Sequence, residues 1–306
     1  MNEYQKIFDP TMTAKPTSGE EVERRGDSSK NSVYAYTDEI VLAVNVALAT
    51  QRPLLVSGPP GCGKSSLARA IADNMGRRNY EITVTSRVEL RDLVGRVDHV
   101  RRLADAQAGD IPKSINHYVE PGRLWWAFDP KGATQRGTTQ RGNPLETENQ
   151  AVDPGRQSNA TRIEEPAVLL LDEIDKADPD FPNALLVPLG AYHFHVEEIG
   201  AWVELQGEPP LILVTTNQDR RLSDAFLRRC VRLEIPAADA DTLARVAQVH
   251  FSGEDLKKAE LVLESLGSTI PSIAEYLDIV RACNRLNLDP KGNQFVQILE
   301  VVLGKR

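Results

Sequence analysis

The chain has 306 residues, of which 36 are basic and 44 are acidic, and its formal net charge at pH 7 is −8. With 41% hydrophobic and 26% charged residues, its composition is typical of water-soluble globular proteins and excludes a disordered or collagenous chain. The acidic balance argues against a protein that mainly coats nucleic acid, because such binding depends on basic contacts to phosphates, and the length predicts roughly two domains.

The first 33 residues differ in character from the rest of the chain. They are polar, mixed in charge and without apolar periodicity. Such a segment cannot offset the entropy that it loses on ordering, so we predict a disordered tail over residues 1–33. Beyond it, apolar residues at helical spacing follow Thr37 and Asp38, which are suitable capping residues. The first predicted helix therefore covers residues 38–50.

Five short apolar runs, separated by helical or polar segments, predict the strands of a sheet. They lie at residues 53–57, 80–85, 167–171, 211–215 and 231–235. Several runs are continuous rather than alternating, which is typical of strands that are covered on both faces. The alternation of strand and helix predicts an α/β fold with a parallel sheet, and we assign it to residues 34–236.

The segment after the first predicted strand has the sequence of a phosphate-binding loop. It contains Gly58, Pro59, Pro60, Gly61, Cys62, Gly63, Lys64, Ser65 and Ser66. This GxxxxGKS pattern, between a strand and an amphipathic segment, lets backbone amides and a helix N-terminus surround phosphate oxygens. Lys64 is predicted to reach the β- and γ-phosphates, and the Ser65 hydroxyl to bind Mg²⁺. The alternative, a glycine-rich turn that only joins strand to helix, fits this context less well.

An unusually polar stretch at residues 131–162 separates the second and third predicted strands. A structureless connection of this length is either mobile or functional, and we predict a flexible surface insertion. Trp125 and Trp126 precede it and are candidates for stacking on a substrate or nucleic acid. Packing beneath the insertion is the favoured interpretation, because large aromatic side chains are usually buried.

The third predicted strand ends in two acidic residues, Asp172 and Glu173. In an open α/β sheet the ligand site lies at the carboxyl ends of the strands, where the phosphate-binding loop also begins. Asp172 is predicted to hold Mg²⁺ through water, and Glu173 to polarise an attacking water molecule. An apolar run followed by acid is a weak signal alone, but it becomes strong beside this loop.

The fourth predicted strand ends in Asn217, whose amide can orient the nucleophilic water beside Glu173. A turn-forming asparagine is the alternative. Five arginines follow within residues 220–232, and Arg228 and Arg229 lie just before the fifth strand. A guanidinium there can stabilise charge on a transferring phosphoryl group. The alternative is a solvated helix end, where cations offset the helix dipole.

The chain after Pro236 contains no convincing strand. Three segments with apolar residues at helical spacing cover residues 252–267, 271–286 and 294–304. We therefore predict a small, all-helical C-terminal domain over residues 237–306.

The order of these pieces resembles an AAA+ ATPase over about residues 34–306. The matching motifs are the Walker A loop GPPGCGKS, the Walker B strand LLLDEID, a sensor-1 TTN, an AFLRR arginine-finger segment and a helical lid. Within that class the chain is most similar to the MoxR-like group, through VELRDLVGRV with EPGRLWWAF and through GAYHFHVEEIG. These segments resemble the group's helix-2 insert and its β-hairpin ahead of sensor 1. The implied fold is a P-loop NTPase sheet flanked by helices, with a helical lid.

The resemblance also implies a function. It implies a homo-oligomeric ring, usually a hexamer, in which ATP and Mg²⁺ lie between protomers and Arg228 or Arg229 acts on the neighbour's γ-phosphate. Hydrolysis would remodel or assemble a protein client, and residues 34–37 would lie near the adenine. The family's sensor-2 arginine is missing, because Ser272 stands at its place and Arg281 lies too far along the helix to replace it. The coupling between nucleotide and lid therefore lacks its usual residue.

Two other functions remain open. The first is a nucleic-acid enzyme subunit, such as a McrB-like restriction GTPase or a clamp-loader-type motor. The acidic balance weighs against it, and residues 217–220 do not match the guanine-reading NKxD pattern. The second is a non-enzymatic nucleotide switch, for instance in bacterial defence signalling. The Walker B glutamate and the sensor-1 asparagine favour hydrolysis instead.

The expected compartment and partners follow from smaller features. The cysteines, Cys62, Cys230 and Cys283, are scattered and odd in number, which fits a reducing compartment. The N-terminal residues lack a signal-peptide pattern, and no run approaches 18 apolar residues. We expect a cytoplasmic protein without a membrane span, whose partner is an unidentified protein client or a separately encoded adaptor rather than nucleic acid.

Overall fold

The computed structural model describes residues 4–10, 33–109, 114–136 and 150–304. The strands of these residues are, in chain order, β1 (Leu54–Ser57), β2 (Arg78–Thr83), β3 (Gly95–Val97), β4 (Val119–Pro121), β5 (Ala167–Asp172), β6 (His193–Val196), β7 (Ala201–Glu204), β8 (Leu211–Thr216) and β9 (Val231–Glu234).

The helices come from the same described ranges. They are α1 (Asp38–Thr50), α2 (Lys64–Met75), α3 (Leu90–Val94), α4 (His99–Ala108), α5 (Arg123–Phe128), α6 (Pro130–Thr134), α7 (Arg156–Asn159), α8 (Phe181–Ala184), α9 (Leu186–Ala191), α10 (Asp224–Arg229), α11 (Ala240–His250), α12 (Gly253–Leu266), α13 (Ile273–Arg285) and α14 (Asn293–Leu303). None of them is long and apolar enough to cross a membrane.

A parallel sheet of five strands, in the order β2-β5-β8-β1-β9, forms the centre of the fold. β1 pairs with β8 and β9, and β5 pairs with β2 and β8, each time in parallel. The carboxyl ends of all five strands therefore lie along one edge. The predicted α/β fold with a parallel sheet is confirmed.

Two apolar clusters cover the two faces of the sheet. Leu169 and Leu171 belong to the cluster that contains α5 and the β6–β7 pair, whereas Val168 and Leu170 belong to the cluster with α1 and α2. Neighbouring residues of a strand point to opposite faces, so a strand between two helical layers is apolar throughout. This arrangement explains the continuous apolar runs in the sequence.

The strand β2 begins two residues before the predicted run, at Arg78. Arg78 is a buried cation, and its guanidinium donates hydrogen bonds to the carbonyl oxygens of Glu165 at 2.7 Å and Trp126 at 2.5 Å. These backbone acceptors offset the cost of burying the charge. A sequence pattern that counts apolar residues does not reveal a strand residue of this kind.

The described N-terminal residues are packed, in contrast to the predicted disordered tail. Phe8 is 1% exposed and belongs to the cluster around α1. The buried amide of Asn45 accepts from the Ile7 and Phe8 nitrogens and donates to the Phe8 carbonyl oxygen. One buried asparagine on α1 thus attaches residues 7 and 8 to the cluster, where the sequence predicts a disordered tail. Residues 11–32 of the predicted tail lie outside the described residues.

The predicted flexible insertion at residues 131–162 is ordered at both of its described ends. Its first residues form α6, and its last residues form α7. Asn159 is buried and accepts from the Asn79 backbone nitrogen at 2.9 Å, while the Tyr80 hydroxyl donates to Asp153 at 3.1 Å. These contacts fasten the end of the segment to β2. Residues 137–149 lie outside the described residues.

The tryptophans before this segment belong to the core. Trp125 is 1% exposed and Trp126 is 3% exposed, both on α5. The Trp125 ring makes an edge contact with Phe194, with ring centroids 6.5 Å apart. The tryptophans therefore pack within the protein, the interpretation that the sequence favours, with Trp125 against β6.

Two small antiparallel pairs accompany the main sheet. β3 pairs with β4, and β6 pairs with β7 so that His195 lies opposite Trp202. The first pair includes parts of VELRDLVGRV and EPGRLWWAF, and β6 lies within GAYHFHVEEIG. All three segments on which the MoxR-like resemblance depends therefore contribute to β-structure outside the main sheet.

The C-terminal helices have a core of their own. Residues of α11, α12, α13 and α14 form a third apolar cluster that includes Leu243, Val262, Tyr276 and Phe295. The helices α12, α13 and α14 match the three predicted segments, and α11 is an additional helix. All residues of this cluster lie within the segment that we assign to the lid.

Candidate functional site

The loop between β1 and α2 adopts the backbone of a phosphate-binding loop. Gly61 and Gly63 have φ values of 76° and 94°, in the left-handed region that residues with a side chain rarely adopt. Gly63 directly precedes the N-terminus of α2. The loop is thus shaped to direct backbone amides and the positive end of the helix dipole at one point, which suits a phosphate.

Lys64 places a buried positive charge at this point. The residue is 7% exposed, and its ammonium donates to the carbonyl oxygens of Gly58 at 2.8 Å and Pro59 at 2.9 Å. Within the described residues no carboxylate pairs with it. A buried cation with only neutral partners is costly unless an anion compensates it, so the residues present fit a nucleotide phosphate.

Ser65 and Asp172 bring hydroxyl and carboxylate oxygens together beside the loop. The Ser65 hydroxyl donates to the Asp172 carboxylate, with oxygen–oxygen distances of 2.8 Å and 3.0 Å. Hard oxygen ligands of this kind, with room for water, are what Mg²⁺ prefers. The chemistry of the donor set therefore fits Mg²⁺, and the sequence-predicted partners are adjacent.

Thr215, on the neighbouring strand β8, organises the Walker B residues and was not predicted from the sequence. Its hydroxyl is fully buried, donates to Asp172 at 2.5 Å and accepts from the Glu173 backbone nitrogen at 2.9 Å. A single side chain thus orients both acidic positions. The only sequence signal is that Thr215 lies two residues before Asn217.

Glu173 has a strained backbone and a cationic partner. Its φ of 61° and ψ of 48° lie in the left-handed region, which turns the chain sharply at the end of β5. Its carboxylate accepts from the Lys176 ammonium at 2.7 Å. This hydrogen bond raises the pKa of Lys176. Lys176 is a second site residue that sequence analysis did not identify.

Asn217 follows β8 as Glu173 follows the adjacent strand β5. Its side chain is half-buried and makes no hydrogen bond within the described part of the chain. Nearby, the backbone nitrogen of Asp219 donates to the buried Asp175 carboxylate at 3.0 Å. That bond ties the segment after Asn217 to the turn after Glu173, so the two strand ends are held together.

Tyr34 packs against the loop from the N-terminal side. A side-chain carbon added at Gly63 would lie 3.3 Å from the Tyr34 ring. The Tyr34 ring also contacts Tyr36, with centroids 5.0 Å apart. Burial raises the pKa of the Tyr34 hydroxyl. Tyr34 thus lies beside the start of α2, in the segment that the resemblance assigns to the adenine.

The lid contacts the phosphate-binding loop through the residue that replaces the expected arginine. A side-chain carbon at Gly61 would lie 2.7 Å from the Ser272 hydroxyl oxygen, and the Ala274 backbone nitrogen donates to the Gly61 carbonyl oxygen at 3.2 Å. Ser272 also caps α13 in a reciprocal pair with Glu275. Arg281, further along the same helix, bonds to Asp278. The lid thus contacts the loop through Ser272 and the Ala274 backbone.

The predicted arginines lie at the end of the short helix α10. Arg228 and Arg229 are both exposed and occupy its last turn, after Ser223, which caps its start. No carboxylate within the described residues pairs with either side chain. The structure thus presents them to the surface and does not bring them into the site of their own chain.

Cys62 is buried in the loop, with 3% exposure. Burial raises the pKa of its thiol, although Lys64 acts in the opposite direction. A protonated, enclosed thiol is a poor nucleophile, so Cys62 fills space in the loop.

A family model described as "AAA domain (dynein-related subfamily)" matches residues 53–230, more than half of the chain. The chain is similar to the peroxisomal Lon protease homolog 2 of Pichia angusta, with 32% identity over 130 residues, and to the mitochondrial Lon protease homolog of Phaeodactylum tricornutum, with 30% identity over 107 residues. These alignments cover 42% and 34% of this chain, but only 13% and 11% of those proteins.

Solved structures with some similarity include a RuvB mutant of Thermotoga maritima, with a TM-score of 0.47 and 16% identity over 89% of this chain and 72% of that chain. NtrX from Brucella abortus in complex with ADP has a TM-score of 0.42 and 18% identity, over 84% of this chain and 51% of that chain.

Proposed function

The chain belongs to the AAA domain family, dynein-related subfamily, and from this premise we propose that it forms an oligomeric ring whose ATP cycle remodels or assembles a protein client. Members of this family are P-loop ATPases that bind ATP with Mg²⁺, and this chain is one of them. We propose in addition the ring, the protein client and the MoxR-like character. One observation carries the proposal. A buried ammonium lies beside a hydroxyl–carboxylate pair where the parallel strands end.

We assign phosphate binding to the loop of residues 58–66 and to Lys64. The Lys64 ammonium would exchange its carbonyl partners for oxygens of the β- and γ-phosphates. Ser65, and Asp172 through water, would hold Mg²⁺, which would neutralise negative charge on the phosphates. The Ser65–Asp172 hydrogen bond supports this assignment, because it brings the two oxygen groups to one place before any ligand arrives.

Glu173 and Asn217 are proposed to prepare the attacking water. Glu173 takes up a proton from the water, and Asn217 orients it, while the water oxygen attacks the γ-phosphorus and the bond to the bridging oxygen breaks. Lys176 bonds to one oxygen of Glu173, and within the described residues the other oxygen makes no hydrogen bond. That oxygen is available to the water.

Arg228 and Arg229 support the ring. They are exposed cations without a carboxylate partner in the described residues, at the end of a capped helix. A guanidinium supplied by one subunit to the phosphate of another stabilises the transition-state charge in related chemistry, and it makes catalysis depend on assembly. We propose that one of the two has this role toward a neighbouring copy.

The exposed face of the β6–β7 hairpin supports a protein client. Trp202 is 65% exposed, and the rings of His193 and His195 lie 5.4 Å and 4.9 Å from it. An exposed tryptophan between two imidazoles is unusual on a surface without a partner, and tryptophan is enriched where proteins bind one another. The hairpin also lies where the MoxR-like group carries one ahead of sensor 1. We propose this face as a client contact.

The proposal is tested by ATP turnover as a function of protein concentration. For a ring with an arginine supplied in trans, the turnover per chain rises with protein concentration until assembly is complete. Lys64→Ala should abolish nucleotide binding, and Glu173→Gln should bind ATP while its turnover falls at least about 100-fold. Glu264→Gln, which changes an exposed carboxylate on α12 outside both the site and the hairpin, is the matched control and should behave as the unmodified chain.

Several results would contradict this function. Turnover per chain that is independent of concentration would remove the ring from catalysis, and unchanged turnover in Glu173→Gln would remove Glu173 from the mechanism. A preference for GTP, or strong stimulation by DNA, would favour a nucleic-acid motor over client remodelling. Client capture uses Glu173→Gln with ATP, and Trp202→Ala in the same background should lose the captured protein.

A further inference from the structure

The C-terminal end of α10 depends on a residue from a distant part of the chain. α10 is a six-residue helix, and the last carbonyl groups of any helix have no partner within the helix. Here the guanidinium of Arg52, between α1 and β1, donates to three consecutive carbonyl oxygens. They belong to Arg228 at 2.6 Å, Arg229 at 3.2 Å and Cys230 at 2.9 Å.

The backbone around Arg52 is itself held in place. The Arg52 nitrogen donates to the Ala47 carbonyl oxygen at 3.2 Å, and the Tyr192 hydroxyl donates to the Gln51 carbonyl oxygen at 2.8 Å. On the other side, the Val231 nitrogen donates to the Pro53 carbonyl oxygen at 2.8 Å, where β9 joins β1. Arg52 therefore extends from a fixed position, and its planar fork sets the direction of the final turn of α10.

Three arginine side chains lie close to the end of α10, and the backbone carbonyl groups there offset the repulsion between their charges. Arg52 lies beside a turn that carries Arg228 and Arg229, so simple charge repulsion disfavours it. The carbonyl groups at a helix C-terminus carry partial negative charge and stabilise a cation there. The Arg52 guanidinium donates hydrogen bonds to these carbonyl oxygens, and the side chains of Arg228 and Arg229 remain exposed. The turn thus presents two guanidinium groups from a rigid base.

We infer that Arg52 is a positioning residue for catalysis in trans: it holds the Arg228–Arg229 turn so that a guanidinium of one copy meets the nucleotide phosphate of the next. The inference rests on the proposed function, since it requires that one of these arginines acts on a neighbouring copy. It assigns to Arg52 no contact with nucleotide in either subunit.

The first test is Arg52→Ala. Its side chain is exposed, so the variant keeps the buried apolar packing of the protein. We expect the affinity for a non-hydrolysable ATP analogue to stay within about twofold, and kcat to fall about tenfold or more because the guanidinium of the neighbour is misplaced. Arg52→Lys keeps the charge but loses the planar guanidinium, so its kcat should lie between that of the unmodified chain and that of Arg52→Ala.

Controls separate positioning from general stability. Arg102→Ala removes an exposed arginine from α4 and should leave kcat unchanged. Adding Arg52→Ala to Arg228→Ala/Arg229→Ala should cause no further loss, because residues that act as one unit are not additive. A further loss in that background, or a weakened ATP analogue affinity in Arg52→Ala alone, would show that Arg52 acts elsewhere and would overturn the inference.

Mixed oligomers give the decisive test. Arg52→Ala chains have an intact nucleotide site and a misplaced arginine turn. Glu173→Gln chains have an inactive nucleotide site and an intact arginine turn. Mixing the two should restore turnover, because Glu173→Gln chains offer an intact arginine turn to the sites of their Arg52→Ala neighbours. The Arg228→Ala/Arg229→Ala chains serve as the reference, and mixing them with Glu173→Gln should also restore turnover.

The two failures are distinguishable. If the reference mixture recovers turnover and the Arg52→Ala mixture does not, Arg52 acts within its own nucleotide site and the inference is wrong. If neither mixture recovers, the arginines do not act in trans, and the proposed ring mechanism fails together with the inference.

Discussion

Individual residues at the strand ends form a linked set rather than a row of independent ligands. Thr215 bonds to the Asp172 carboxylate and to the Glu173 backbone, and Lys176 bonds to the Glu173 carboxylate. Motif spacing identifies Asp172, Glu173 and the TTN segment that begins with Thr215, but it does not show that Thr215 bonds to the acidic residues, because a threonine on another strand has no fixed distance in sequence from the acid that it orients. Lys176 is close in sequence but belongs to none of the motifs, so the roles of both residues come from the geometry.

Lys176 is expected to orient Glu173 for water activation. In Lys176→Met the carboxylate loses a charged hydrogen bond of 2.7 Å, and we expect kcat to fall about threefold to tenfold with unchanged ATP affinity. The effect is limited because both side chains are partly exposed. Steady-state turnover and analogue binding measure the two quantities, and Lys176→Arg is the charge-conserving control. A rise in kcat would show that the pair restrains Glu173 instead.

A few buried polar side chains attach helices, strands and the N-terminal segment to one another by hydrogen bonds. Asn45 on α1 bonds to Ile7 and Phe8, Arg78 begins β2, and Asn159 fastens α7 to β2. Each of them satisfies backbone groups that burial would otherwise leave without partners. Predictions from apolar periodicity assign polar segments to loops or tails. The observed elements therefore depart from the predicted ones where buried polar residues make these attachments.

The attachment of residues 4–10 to α1 can be measured through Asn45. Its amide makes hydrogen bonds of 2.6 Å, 2.9 Å and 2.8 Å to Ile7 and Phe8. In Asn45→Ala the buried Phe8 nitrogen and the partly buried Ile7 nitrogen lose their acceptor, and we expect the free energy of unfolding to fall by about 1–3 kcal/mol. Denaturant titration measures this change, and Ile7→Ala, at a residue with 53% exposure, is the control. Equal stability of the two variants would contradict the attachment.

At the scale of the whole molecule, the lid contacts the phosphate-binding loop. The Ala274 nitrogen bonds to the Gly61 carbonyl oxygen, and Ser272 fills the space where a side chain at Gly61 would lie. A sensor-2 arginine would connect lid and nucleotide through a charge. This chain connects the lid to the loop backbone directly, so the position of the lid bears on the shape of the nucleotide site before any nucleotide binds.

Gly61→Ala tests this contact at the scale of the molecule. The new methyl group meets the Ser272 hydroxyl at 2.7 Å and must adopt a φ of 76°, so it should destabilise the fold by at least about 1 kcal/mol and weaken ATP binding. Ser272→Gly removes the collision but not the backbone strain, and in the double variant it should restore part of the affinity. Calorimetric titration with ATP gives the comparison. Fully additive effects would show that lid and loop are not coupled here.

The sequence by itself determined the elements whose signals are local. Continuous apolar runs gave the parallel sheet, and the GxxxxGKS spacing gave the loop, because the period of a strand and the turn of a glycine loop depend on neighbouring residues. Only the tertiary structure decided the partners from distant segments: Thr215 on Asp172, Ser272 against Gly61, and Arg52 beneath the arginine turn. The Thr215–Asp172 contact joins residues 43 positions apart, and the Arg52–Arg228 contact joins residues 176 positions apart. A single sequence does not indicate which distant residues the fold brings together.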